Sequence, residues 1–345
     1  MEQVLVLLHT DETGGLPKAG LEAVAAGARM GAELGGAGFA VGIIGAGVQA
    51  DANQLAGCGA SRFLVADAPE LAQSRYATDA AAAEAVARQA GATIILAPMT
   101  PRFARALPGL AHRLGGRVDT HITGLAAAGG TPVVTRWFYR QRIEGALQRT
   151  ARPWIILLDP GAFPAWTGAA GTATAEAVPL AFGPALTRTT VAGIESPAAG
   201  QQTIRPDADL LFVAGAGWTK KQADGQPHPA DAEAFILDFL RRSRASLGGS
   251  KSRVDLSGEG HAVLGFMTHM NQIGQTGATP RHPKGLATCC HGEEPHVVGW
   301  RFITERRAVN LDANCGWARG KADVLYVADA FAVMKRVNEL LTDGN

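Results

Sequence analysis

The chain has 345 residues, of which 47% are hydrophobic and 18% charged, with 43 glycines, 18 prolines and a net charge of +1. That length and apolar content allow two globular domains with cores of their own and exclude a disordered tail. Basic and acidic residues number 32 and 31, and no lysine or arginine block is present, which excludes a surface built to track nucleic acid.

The amino terminus, Met1-Glu-Gln before Val4 to Leu8, has neither a basic start nor a long apolar core, so it reads as a strand and not as a signal peptide. A helix follows from Pro17, with Leu21, Val24, Ala25, Ala28 and Ala32 on one face and Gly35-Gly36 as its stop. Phe39 to Ile44 is the second strand, and Arg62 to Ala66 and Thr93 to Ala97 are the next two, separated by an alanine-rich helix over Asp79 to Ala90. Another helix covers Pro101 to Leu114. Beyond Thr120 the pattern turns β-rich, with pieces at Pro132 to Tyr139 and Trp154 to Leu158 that together suggest an antiparallel appendage.

From Asp159 to Asp207 the chain is rich in proline and small residues without a period, as expected of a connection between domains. The boundary falls within 190–207, giving one domain over 1–195 and a second over 205–345. The second opens with the strand Asp209 to Ala214, the turn Gly215-Ala-Gly217 and a helix from Pro229 to Leu247. Strands at Gly285 to Cys289, Phe302 to Asn310 and Val324 to Ala328 precede a closing helix over Asp329 to Leu341. The fold class is α/β in both domains, and chemistry is expected beyond the carboxyl ends of the strands.

Two glycine turns follow strands, Gly45-Ala-Gly47 and Gly215-Ala-Gly217. Neither reaches the third glycine of a dinucleotide fingerprint, so each reads as a phosphate contact or as a plain strand-to-helix turn. Gln272-Ile-Gly-Gln-Thr-Gly277 presents backbone N–H groups, an amide and a hydroxyl in a manner suited to a heteroaromatic ligand. Histidines 261, 269, 282, 291 and 296 cluster around Cys289 and Cys290. Their spacings match no zinc motif, so no metal is expected. The four cysteines, at 58, 289, 290 and 315, show no paired spacing, which points to a reducing compartment such as the bacterial cytoplasm. No apolar run has the length of a membrane span.

Read in order, Gly249-Ser-Lys-Ser-Arg-Val-Asp255, Gln272 to Gly277, the turn ending at His296, Val309-Asn-Leu-Asp312 and Val327-Ala-Asp-Ala-Phe331 resemble the α subunit of electron-transfer flavoproteins. Phe63-Leu-Val-Ala-Asp67-Ala-Pro and Ile94-Ile-Leu-Ala-Pro98 extend the likeness into the first domain. The resemblance implies a Rossmann-like FAD-binding second domain and a first domain that meets a β subunit, which would hold AMP or a second flavin. It implies a redox carrier and not an enzyme with turnover of its own, moving electrons from a flavin-dependent dehydrogenase to a downstream acceptor.

Carried over by position, Ser250, Lys251, Gln272, Ile273, Gly274, Gln275 and Thr276 would contact FAD. So would the turn of His291, Gly292, Glu293, Glu294, Pro295 and His296. Thr276 and His296 would tune the ring. Gly217, Asn310, Asp312, Asp329 and Ala330 would hold the adenosine and phosphate half.

The departures from the family pattern are specific. Lys251 stands where the resemblance places an arginine over the ring, Gly217 where it places a phosphate-contacting arginine, and Leu311 where it places a lysine. His291 replaces a serine, and Glu293 and Glu294 replace apolar residues. These changes support a second reading, an assembly subunit that has lost FAD or binds only an adenine nucleotide. A third, a metal-dependent enzyme, rests on the histidine and cysteine cluster alone. Residues 256–271 form a long insertion whose Val263, Leu264, Phe266, Met267 and Met270 suggest a partner-facing or flavin-covering surface.

Overall fold

Five consecutive branched residues from Val4 form β1 (Val4–His9), buried at every position, as a strand covered on both faces must be. The structure is a computed structural model, and the residues it describes are 2–35, 38–139, 143–193, 204–205, 208–249, 262–273, 280–288, 303–315, 318–319 and 322–341. The chain divides into two units, Met1–Glu195 and Ser196–Asn345, each of mixed α/β architecture.

In the first unit, β1 is followed by α1 (Lys18–Glu33), which starts directly after Pro17 and buries Ala23, Val24, Gly27 and Met30. Then come β2 (Phe39–Gly45), α2 (Gln49–Gln54), β3 (Arg62–Asp67) and α3 (Tyr76–Ala90). Gly91 closes α3 in the left-handed conformation at φ 60°. β4 (Ile94–Pro98) leads into α4 (Pro101–Arg113), whose Thr100 cap accepts a hydrogen bond from the Phe103 N–H. The remaining elements are β5 (Arg117–Ala128), β6 (Thr131–Phe138), β7 (Ile143–Leu147), β8 (Trp154–Leu158), β9 (Ala175–Ala177) and the short α5 (Pro184–Thr187).

Among the described residues the sheet of this unit has nine strands, in the order β7-β6-β5-β8-β4-β1-β2-β3-β9. Only β5–β6 and β6–β7 pair antiparallel. The antiparallel appendage therefore exists, but Trp154–Leu158 is not part of it: β8 runs parallel between β4 and β5 in the body of the sheet. Its five residues are all buried, because helices cover both faces there. The long β5 reaches from this body into the appendage, bulging between Asp119 and Ile122. Buried Asp119 ties the two parts together by accepting from Arg149 and, at 2.9 Å, from the Trp154 indole.

The second unit contains β10 (Leu210–Ala214), α6 (Pro229–Ser243), β11 (Ser246–Gly249), β12 (Lys284–Thr288), β13 (Glu305–Asn310), β14 (Val324–Val327) and α7 (Ala330–Leu340). The strands form a parallel sheet ordered β11-β10-β12-β13-β14. A helix running to Leu247 is not what forms. Arg244 turns left-handed at φ 53° and ends α6, and Ser246 to Gly249 pair in register with Leu211 to Ala214. Glycines that have no place in a helix permit close approach here, since a Cβ on Gly249 would overlap Met267.

That contact also corrects the reading of 256–271. Leu264 and Met267 are buried in the core with Phe212, Trp218 and Leu240, and Phe266 packs against it. Of the apolar residues in that stretch, Met270 stands exposed; residues 256–261 lie outside the described residues. Among the described residues, no helix is long and apolar enough to cross a membrane.

Candidate functional site

In the second sheet the chain moves from β10 outward to β11, then crosses back to β12 on the other side. Such a reversal opens a crevice at the carboxyl ends of the strands, where open α/β sheets take ligands. The Gly215-Ala-Gly217 turn follows β10 at this edge as a single 3-10 turn, Ala216–Thr219. It is locked to β12: the Gly215 N–H donates to the Thr288 carbonyl at 2.9 Å. The Trp218 indole donates to the Thr288 hydroxyl at 2.8 Å, and that hydroxyl donates to the Val213 carbonyl at 3.1 Å.

Along the same edge, Gly217, Asn310, Asp329 and Ala330 line one cleft of about 70 Å³. These residues follow or end β10, β13 and β14, so the register of the parallel sheet brings them to one level. Asp329 caps α7, accepting from Phe331 N–H at 3.2 Å and Ala332 N–H at 3.3 Å. Asn310 is buried and its Oδ1 accepts from Asp312 N–H at 3.4 Å. Asp312 in turn receives the Asn314 N–H at 2.8 Å, which shapes its own turn; it is not among the residues lining the cleft. The volume has room for roughly two waters, and so seats one small group of a ligand extending along the crevice.

Of the other lining residues, Lys221, Gln222 and Ala328 escaped the sequence reading of the site, and Leu311 entered it only as a departure from the family pattern. Gln222 Nε2 donates to the carbonyls of Gly217 at 3.0 Å and Lys220 at 2.7 Å. This fastens the Lys221–Pro227 bridge beside the glycine turn. The signal available in the sequence was the Lys220-Lys221 pair just beyond Gly217.

Gln272 and Ile273 sit at the carboxyl end of β11, where Gln272 bridges Gly249 and the Ile273 N–H donates to the Gly249 carbonyl at 3.1 Å. The Ile273 side chain is buried against Leu211 and Val213, so its side chain serves the core. The loop that these two residues open thus begins on the ligand edge of the sheet. Ser250, Lys251, Gly274, Gln275, Thr276, His291, Gly292, Glu293, Glu294, Pro295 and His296 lie outside the described residues. Among the described residues no three His, Cys, Asp or Glu side chains converge as a metal site. His282 is buried and its Nε2 bonds the Arg205 carbonyl at 2.7 Å.

The first sheet has its own reversal, between β1 and β4, and a cavity of about 510 Å³ opens there, lined in part by His9, Thr10, Ser74, Thr100, Arg102 and Arg105. His9 Nδ1 lies 2.8 Å from the Thr10 carbonyl and therefore donates to it, leaving Nε2 to accept from the Thr100 hydroxyl at 2.6 Å. Burial lowers its pKa to about 4, so the ring is neutral near pH 7. Arg102 is spent on structure, bonding Asp79 at 2.6 and 3.1 Å and the carbonyls of Thr10 and Leu71.

The Gly45-Ala-Gly47 turn of this unit is not a phosphate loop. Asp67 Oδ1 accepts the Gly47 N–H at 2.8 Å and its Oδ2 accepts the Val48 N–H at 3.3 Å, so a carboxylate already holds the donors an anion would need.

The electron transfer flavoprotein domain matches residues 4–182, more than half of the chain. No curated protein matches it. With two parallel-rich α/β sheets and a match of that extent, the chain belongs to the electron transfer flavoprotein domain family, a flavoprotein family of electron transport.

Proposed function

We propose that this chain is an α-like subunit of an electron transfer flavoprotein. In this reading it carries FAD in its second unit and pairs with a β subunit through its first. Electrons come from a flavin-dependent dehydrogenase and go to a downstream acceptor. The observation that carries this reading is the convergence of Gly217, Asn310, Asp329 and Ala330 on one cleft at the carboxyl ends of β10, β13 and β14.

The donor set there fits the adenosine diphosphate half of the cofactor. The Asp329 carboxylate and the Asn310 amide suit ribose hydroxyls, and Lys221 offers a cation to phosphate. When bound, the flavin supplies the redox chemistry, and the protein supplies orientation and charge. On the sequence resemblance, Ser250, Lys251, the Gln272–Thr276 loop and the His291–His296 turn would surround the ring. There Thr276 and His296 would donate hydrogen bonds to its heteroatoms and the Lys251 ammonium would stand over it.

The test is to co-purify the chain with its β partner and extract the bound small molecules. A yellow complex with one FAD per α chain is expected. A colourless complex without flavin overturns the reading, and an adenine nucleotide alone would favour an assembly subunit instead, as the absence of a cation at both Gly217 and Leu311 suggests.

A further inference from the structure

Among the described residues, the cleft at the carboxyl ends of β10, β13 and β14 has one cationic lining residue, Lys221. At the two lining positions where the resemblance places cations, the chain has Gly217 and the exposed Leu311. An acid is close by, because Asp329 lines the same cleft and its carboxylate already occupies two N–H groups at the start of α7. A phosphate entering this space would meet a negative side chain and a helix terminus with part of its donors spent. It needs a counter-charge from elsewhere.

Lys221 is held where it can provide one. The segment after Gly217 folds back on itself through the Lys221–Pro227 bridge, the Gln222 N–H to Gln226 carbonyl bond at 2.9 Å and the Gly225 N–H to Gln222 carbonyl bond at 2.9 Å. Gln222 then ties this loop to the glycine turn. Among the described residues no carboxylate forms an ion pair with Lys221. Its neighbour Lys220 is also exposed but does not line the cleft.

We infer that Lys221 is the phosphate-binding cation of this site, taking over from the loop what Gly217 and Leu311 do not supply. The ligand class is a ribosyl diphosphate, with the Asp329 carboxylate facing the sugar and the Lys221 ammonium the diphosphate. The assignment rests on the proposed FAD site, but the same chemistry would admit free ADP.

The experiment uses the full-length chain stripped of bound nucleotide and titrates FAD, ADP and riboflavin into wild type, Lys221→Ala, Lys221→Arg and Lys220→Ala. Thermal melting of each unliganded variant checks folding, and an exposed loop lysine should leave it unchanged. Lys221→Ala should weaken FAD and ADP at least tenfold and flatten their salt dependence, with riboflavin unaffected. Lys221→Arg and Lys220→Ala should bind like wild type.

Equal binding of FAD by wild type and Lys221→Ala would overturn the role of Lys221 while leaving the FAD site standing. An equal loss in Lys220→Ala would also overturn it, since general surface charge would then suffice. Lys221-dependent binding of ADP in a protein that takes no FAD would uphold the residue and overturn the flavin reading.

Discussion

His9 and Asp51 are buried ionisable side chains of the first unit whose protonation is displaced in opposite directions. Burial lowers His9 from 6.5 to about 4. Between those values the unfolded chain binds the extra proton, so the His9 contribution to stability is complete above pH 6.5 and is lost as pH falls toward 4. Asp51 lies in the first turn of α2, its Oδ2 without a partner among the described residues. Burial, then the nearby Asp11, raises it from 3.8 to about 6. Its folded state keeps the proton longer, so stability falls as pH rises from 3.8 to 6. The two effects oppose each other across the same window. Denaturant unfolding of Asp51→Asn against wild type should show a gain that grows by about 2 kcal/mol between pH 3.8 and 6. A difference independent of pH would mean that Asp51 titrates normally. The buried Arg102–Asp79 pair gives a second expectation at this scale. Arg102→Met leaves Asp79 buried without its partner and should cost about 3–5 kcal/mol, while Arg102→Met with Asp79→Leu should recover most of it. Additive losses in urea melts of the double variant would contradict that.

At the scale of elements, α1 lies on the first sheet through its small residues. A Cβ on Gly27 would overlap Val6 Cγ2, and Val6 cannot yield because its branched side chain sits fully buried in a central strand. Gly27→Ala would gain about 1 kcal/mol of helix propensity and lose about 1–3 kcal/mol to overpacking, more if the helix must shift. A net loss of stability in thermal unfolding is therefore expected, and an increase would mean that α1 moves freely on the sheet. The appendage is shaped by different means. Its β5–β6 turn is Gly129-Gly130, with φ of 57° and 75° between Ala128 and Thr131, which pair directly. Positive φ at both positions suits the tight hairpin turn that matches the twist of its strands.

At the scale of the whole molecule, each buried cluster of the described residues belongs to one unit. The buried clusters of the first draw on β1 to β4, β8 and their helices, and those of the second on β10 to β14, α6 and α7. Residues 1–195 expressed alone should therefore unfold in one cooperative transition, read by circular dichroism in urea. A fragment without a transition would show that its core depends on the rest of the chain. FAD extraction and nucleotide titration test the second unit by separate readouts, so failure in one unit does not mask the other.

The residue pattern alone set out the order of strands and helices through β4 and α4, apart from α2, and again at β10, β12, β13, β14 and α7. In these places an apolar run or a helical face must be buried whatever its neighbours are. It also named Gly217, Asn310, Asp329 and Ala330, which the fold brings to one cleft. Folding alone settled where β8 belongs, because Trp154 to Leu158 would read alike in a hairpin or in a parallel body. It alone showed β11, whose Ser246-Leu-Gly-Gly249 becomes a strand by pairing with β10 and packing against Ile273 and Met267. Lys221 belongs with these. The Lys220-Lys221 pair beyond the glycine turn is visible in the sequence, but which of the two lines a cleft is not, since that cleft exists only once β10, β13 and β14 lie in register. Burial is written in the chemistry of each residue, whereas hydrogen-bond partners and convergent side chains are relations between distant parts of the chain that only folding creates.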